Sequence, residues 1–390
     1  MRAPSPTIFS PPAWLVSFAF ALPFVVGAWG QLHKPSGGHG LDLRAVLCAG
    51  DAWLRDASLY STAPTCPFGA AMPYVYPPLL AGVAAWLQER LGVSLEFASG
   101  VALYVGVLSL VARDLFKGDR VELLFRAPFL CALTARALLS GNVSLLFHAA
   151  LFIAVAHVGV DALTAAQKTI SAAAKPTFVV YSAIFLFLPG SLARRLALSG
   201  ASLAGTAIYL LWLAIFRTGD FASWLDVARR LGLALEGHSL LAWPGVASLP
   251  DGLRAGLYAI FACLLLAAGW AASSRLAVRD RLFVGVAVCI LLNPRLMYYD
   301  HFTLPFGLAV LARNCATAAE RLGGWVYATL CLGAVALVGF AGTRGGEVLY
   351  VGALALVAAA AATELNTTGL TRGPSRRTGE ATVPNLREAP

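Results

Sequence analysis

The stretch "LYAIFACLLLAAGWAASSRLAVRDRLFVGVAVCILL", residues 257–292, decides the fold class. Two apolar runs flank a short joint that holds Arg275, Arg279 and Arg281. Each run approaches the ~20 apolar residues that carry a helix across the hydrocarbon layer. The charges gather in the joint, as they must where the surrounding solvent is lipid.

The pattern recurs along all 390 residues. The chain is 58% hydrophobic and 13% charged, with a mean hydropathy of +0.73; a soluble domain carries about 25% charged residues. A β-barrel would show short alternating strands instead. The sequence therefore reads as an all-α polytopic membrane protein. Spans are expected near 13–30, 77–92, 96–112, 121–139, 143–160, 172–190, 196–216, 254–273, 280–293, 301–314, 323–341 and 346–363, about twelve in all. Residues 1–363 would form one membrane domain, and 364–390 a disordered cytoplasmic tail. The first run follows one basic residue and lacks a small-x-small site, so it reads as an uncleaved span.

The net charge of +9 does not argue for nucleic acid. Arginine supplies 25 of the 29 basic residues, many at the ends of apolar runs, where they set topology. "LARR" (Arg194, Arg195), "SSRLAVRDR", "RNCATAAER" and the tail fall on one side, which is thereby cytoplasmic. "RDLFKGDR" (113–120) disagrees: twelve spans place its three basic residues outside. The seven cysteines show no metal spacing. Cys48 and Cys66 lie in the first external loop and can pair if it faces an oxidising compartment.

The long external loops, 31–76 and 217–253, are candidates for function. In the first, Leu43, Val46, Leu47, Gly50, Trp53 and Leu54 form an apolar stripe opposite Arg44, Cys48, Asp51 and Arg55. That predicts an amphipathic helix lying at the membrane surface; 221–235 is a second of this type. Asp42 opens the first helix, where its ordinary role is an N-cap, although no capping-box partner follows. Asp51 and Arg55 read as a surface pair four residues apart, and Asp56 as a charge at the helix end. "PYVYPPLL" (73–80) is a rigid entry into the next helix, with Tyr74 and Tyr76 as interfacial aromatics. "NPRLMYYDHF" (293–302) packs Asn293, Arg295, Asp300 and His301 at a span boundary, where ionisable groups are functional candidates. Arg295 suits a phosphate and His301 a proton. Lys175 lies in an apolar run that Pro176 breaks. It either snorkels or meets an anionic lipid head group. "SGN" (140–142) is a polar break between apolar runs.

Together these segments resemble the bacterial glycosyltransferase 87 family: Asp42, Ala49, Tyr60 and "VYPP" (75–78), then "SGN", Lys175–Pro176, and "PRLMYYDHF". Leu43 departs from the aromatic common in that family, and Asn142 from the glutamine. The resemblance covers about residues 13 to 340. It implies a GT-C-like bundle of about twelve helices. It implies transfer of a hexose, typically mannose, from a polyprenyl-phosphate donor to a lipid or glycan acceptor, with inversion. It implies Asp42 as general base and His301 in the active site. Lys175 and Arg295 would meet the lipid phosphate, while Tyr76, Asn142 and Asp300 would bind substrate. No cofactor, metal or nucleotide site is called for. The protein would sit in the bacterial inner membrane with its site facing the periplasm. A secondary transporter or lipid flippase is the competing reading.

Overall fold

The computed structural model describes residues 40–61, 66–69, 71–115, 141–158, 171–233, 237–319 and 345–371. Among them every regular element is helical. In chain order these are α1 (Leu41–Leu54), α2 (Pro78–Leu115) and α3 (Val143–Ile153, continued by a π turn, Ala154–Val158). A 3-10 helix, Pro176–Phe187, is followed by α4 (Leu192–Phe216) and α5 (Thr218–Leu233). The series closes with α6 (Asp251–Ser273), α7 (Val278–Leu291), α8 (Leu304–Ala319) and α9 (Gly345–Thr371). Among the described residues three stretches are long and apolar enough to cross a membrane: Pro78–Val107, Leu192–Phe216 and Asp251–Ser273. The expected spans 13–30, 121–139 and 323–341 lie outside the described residues.

Four elements differ from expectation. The spans expected at 77–92 and 96–112 form one helical stretch, broken at Gly92 (φ 72, ψ 162). Its first part packs against α1. A Cβ on Gly50 would stand 2.7 Å from that of Ala84. Past Gly92, Gly100 meets Leu43 and Tyr104 enters the main core with Leu145 and Ala149. Only the later part runs into the bundle core.

The second difference is α1 itself. Leu43, Val46 and Leu47 are buried as the stripe predicts, but so are Cys48 and Asp51. Leu59, Phe68, Tyr74 and Tyr76 wrap the other face and share its core. The helix is thus covered on both faces, one of them by its own loop. Cys48 and Cys66 form a disulfide that fastens this wrap. Tyr74 is no interfacial aromatic: its hydroxyl donates to Pro77 O at 2.6 Å and accepts from Ala81 N–H at 3.1 Å, pinning the start of α2.

The third is 172–190, which is a 3-10 helix from Pro176. Proline lacks an N–H and bars its predecessor from the α region, and Lys175 is accordingly extended (φ −142, ψ 103). The fourth is α9, which runs through Thr371, eight residues into the stretch expected to be tail.

Small residues close the bundle. A Cβ on Gly307 would lie 2.3 Å from Phe283 O, so α8 and α7 touch through backbone. The core between them holds Phe152, Tyr181, Phe185, Phe187, Val288 and Leu308. The bundle has two unlike ends. At one, Arg195 stacks 4.2 Å over Trp270, and Arg281 lies 5.3 Å from the same ring. Arg281 also donates to the carbonyls of Ser273, Ser274 and Leu276, capping the chain as it leaves α6. Arg195 and Arg281, two of the arginines expected to share a side, meet there; Arg321 and the tail arginines lie outside the described residues. At the other end α3, the 3-10 helix and α8 all begin, and α7 arrives.

Candidate active site

Asp42 occupies the first turn of α1, but the N-cap is Gly40 (φ 68), with no side-chain cap bond. The N-cap role expected for Asp42 is thus not the one it plays. One of its oxygens accepts a hydrogen bond from Asn142 Nδ2 at 3.0 Å, across 100 residues of chain. Asn142 is itself the N-cap of α3, its Oδ1 accepting from Ser144 N–H at 2.9 Å. Gly141 makes this junction. Its φ is +70, and a Cβ there would press to 2.9 Å from that of Leu43. The polar break "SGN" therefore brings α3 against the residue beside Asp42.

Ser144 leads to the next group. Its hydroxyl accepts from Lys175 Nζ at 2.6 Å, and Lys175 stands 3.6 Å from Asp300 Oδ1. Lys175 turns inward and does not snorkel, because the Lys–Pro break extends its backbone just as α3 passes. Asp300 Oδ1 also meets His148 Nε2 at 3.0 Å, and Oδ2 accepts from Met297 N–H at 3.0 Å. An ionised carboxylate only accepts, so Nε2 carries the proton. The other ring nitrogen then accepts from the Tyr181 hydroxyl, 3.0 Å away. Burial pushes the Asp300 carboxyl up, but the Lys175 and His148 partners outweigh it and hold it at about 2.

Tyr76 joins both halves. Burial raises its hydroxyl above the ordinary tyrosine range, and the carboxylates of Asp42 and Asp300 add to this. A hydrogen bond with Ser144 and the charge of Arg295 act the other way. The Tyr60 hydroxyl donates to Tyr76 O at 2.9 Å. Arg295 follows a turn in which its N–H donates to Asn293 Oδ1 at 3.1 Å, and its charge is felt at both Tyr76 and Lys175. His301 is 1% exposed, with its ring 5.9 Å from that of His238.

The seven residues singled out in the sequence thus gather at one end of the bundle. They differ in access. Asp42, Lys175 and Arg295 are half-buried, whereas Tyr76, Asn142 and His301 are buried. Asp300, expected to touch substrate, has no exposed surface, and its oxygens are taken by Lys175, His148 and Met297. It positions the lysine. Ser144, His148, Tyr181 and His238 were not foreseen. His148 carried a signal, a histidine within the apolar run "VSLLFHAALF". His238 carried none. Among the described residues no cluster of three or more His, Cys, Asp or Glu side chains suits a metal ion.

Chemically the arrangement offers a reachable carboxylate oriented by an amide, two cations close by, and a buried network that fixes one of them. Fold and composition together define an all-α protein with apolar, membrane-length helices. No family model, curated protein or solved structure matches the chain.

Proposed function

We propose that the protein is a membrane glycosyltransferase that moves a hexose, mannose in the first instance, from a polyprenyl-phosphate donor to an acceptor hydroxyl. The observation that carries this reading is the gathering of half-buried Asp42, Lys175 and Arg295: Asp42 and Arg295 both act on the buried Tyr76, and both act on Lys175. Asp42 takes the acceptor proton as general base. The acceptor oxygen bonds to the anomeric carbon while the bond from that carbon to the phosphate oxygen breaks. The electron pair leaves with the phosphate, and its charge is met by Lys175 and Arg295. Attack opposite the leaving group inverts the anomeric centre. Asn142 aims the base, and the buried Asp300 holds Lys175 in place.

The wider architecture is read as a GT-C-like bundle of about twelve spans. The arginine-capped end lies in the bacterial cytoplasm, by the positive-inside rule, and the Asp42 end faces the periplasm. The Cys48–Cys66 disulfide supports that side, since such bonds persist in oxidising compartments.

The test uses purified protein in lipid nanodiscs, mannosyl polyprenyl phosphate as donor and a bacterial lipid extract as acceptor. Wild type transfers label, and Asp42→Asn loses at least ~100-fold. Equal transfer by Asp42→Asn would overturn this mechanism. Lipid movement across the bilayer without any glycosidic product would favour a flippase.

A further inference from the structure

The segment 237–240 is built to hold one side chain in place. Gly237 has φ +120, and a Cβ on it would stand 2.5 Å from Leu296 O, so only glycine fits. His238 N–H donates to Leu296 O at 2.7 Å, and Ser239 Oγ donates to Pro294 O at 2.6 Å. Leu240 N–H reaches the Tyr350 hydroxyl at 3.4 Å. These bonds clamp the loop onto the stretch that carries Arg295, and they set the His238 ring 5.9 Å from that of His301.

The pair is chemically unfinished. Neither ring nitrogen of the buried His301 has a hydrogen-bond partner among the described residues, nor has Nδ1 of His238. Thr303 Oγ1 and Asn293 Nδ2, on the same stretch as His301, are in the same condition. Buried polar atoms are satisfied in more than about 90% of cases, so such a concentration beside Asp300 is what a ligand able to supply the partners would complete. The rings point to its chemistry. Burial pulls His238 below the ordinary histidine range, with Glu347 and Asp300 acting against it. A neutral imidazole offers one donor and one acceptor, which complements a hydroxyl. A phosphate would call for cations instead.

We propose that His238 and His301 form a recognition subsite for the hydroxyl groups of a hexose ring, where the loop is clamped to the stretch that carries Arg295. This rests on the glycosyltransferase reading above. His238 is a binding residue on a loop otherwise remote from Asp42 in sequence.

The experiment compares two probes, polyprenyl phosphate and mannosyl polyprenyl phosphate, binding to wild-type protein in nanodiscs and to three variants. Wild type binds the mannosyl lipid more tightly than the bare lipid. His238→Ala and His301→Ala each weaken the mannosyl lipid about tenfold and leave the bare lipid unchanged. His238→Gln, which keeps a neutral donor and acceptor, retains most of the difference. If donor binding is intact but His238→Ala raises KM for the acceptor with kcat preserved, the subsite holds the acceptor's sugar, and the proposal stands. If wild type and all three variants treat both lipids alike and the acceptor KM does not move, the subsite does not exist. That failure is separable from failure of the glycosyltransferase reading, which the Asp42→Asn transfer assay decides on its own.

Discussion

Asp300 is the residue on which the site's geometry turns. It is wholly buried, and Lys175, His148 and Met297 share its two oxygens. Removing its charge takes from half-buried Lys175 the carboxylate 3.6 Å away; breaking a buried pair costs about 3–5 kcal/mol, an upper bound for this partly exposed one. Asp300→Asn therefore lowers the thermal midpoint in detergent markedly; an unchanged midpoint would show that the ion pair carries no weight. The pH dependence has a definite sign. The folded carboxyl titrates at about 2, below its ordinary 3.8, so its stabilisation is present above 3.8 and fades as pH falls toward 2. Wild type should lose midpoint across that interval by a step that Asp300→Asn lacks. At this scale much was legible. The sequence displays Asp42, Lys175, Arg295 and the "YYDHF" run as charges in an apolar chain, and such charges are costly unless used. What it does not display is which charge is exposed and which is a support. Asp42 and Asp300 look alike on paper, and only packing separates the reachable carboxylate from the buried one.

Among the elements, two short breaks make the site. Gly141 brings α3 against Leu43 so that Asn142 reaches Asp42, and the Lys175–Pro176 step turns a helix into an extended residue followed by a 3-10 helix. A Cβ at position 141 meets both a positive φ and the Leu43 side chain. Gly141→Ala should destabilise by about 1–3 kcal/mol and slow transfer, whereas Gly219→Ala, with open space around it, should do neither. Thermal unfolding of the two variants side by side checks this; equal midpoints would contradict it. Helix existence was readable here because long apolar runs admit little else. The kind of helix was not. Hydropathy cannot distinguish a 3-10 helix from an α-helix of the same composition, nor show that two apolar runs meet at a single kink at Gly92. The α1 stripe foretold a helix and its apolar face. It could not foretell that Leu59, Phe68 and Tyr76 would return to cover the opposite face.

At the scale of the whole molecule, the two ends carry different chemistry. Arginines cap one around Trp270, and the other gathers carboxylates, tyrosines and two cations around Asp42. The disulfide belongs to the second end. In protein taken from cells, a thiol-alkylating reagent applied after denaturation should mark Cys48 and Cys66 only once a reductant has been added. Labelling without reduction would place that end in a reducing compartment. On the glycosyltransferase reading, the gathered side chains receive a lipid phosphate. That central claim is tested most directly by an experimental structure of the protein in nanodiscs with polyprenyl phosphate. The account predicts the phosphate between Lys175 Nζ and the Arg295 guanidinium, within ~4 Å of each, with Asp42 facing the space where a sugar would be attached. Density for the phosphate elsewhere on the protein, with Lys175 still held by Ser144 and Asp300, would contradict it.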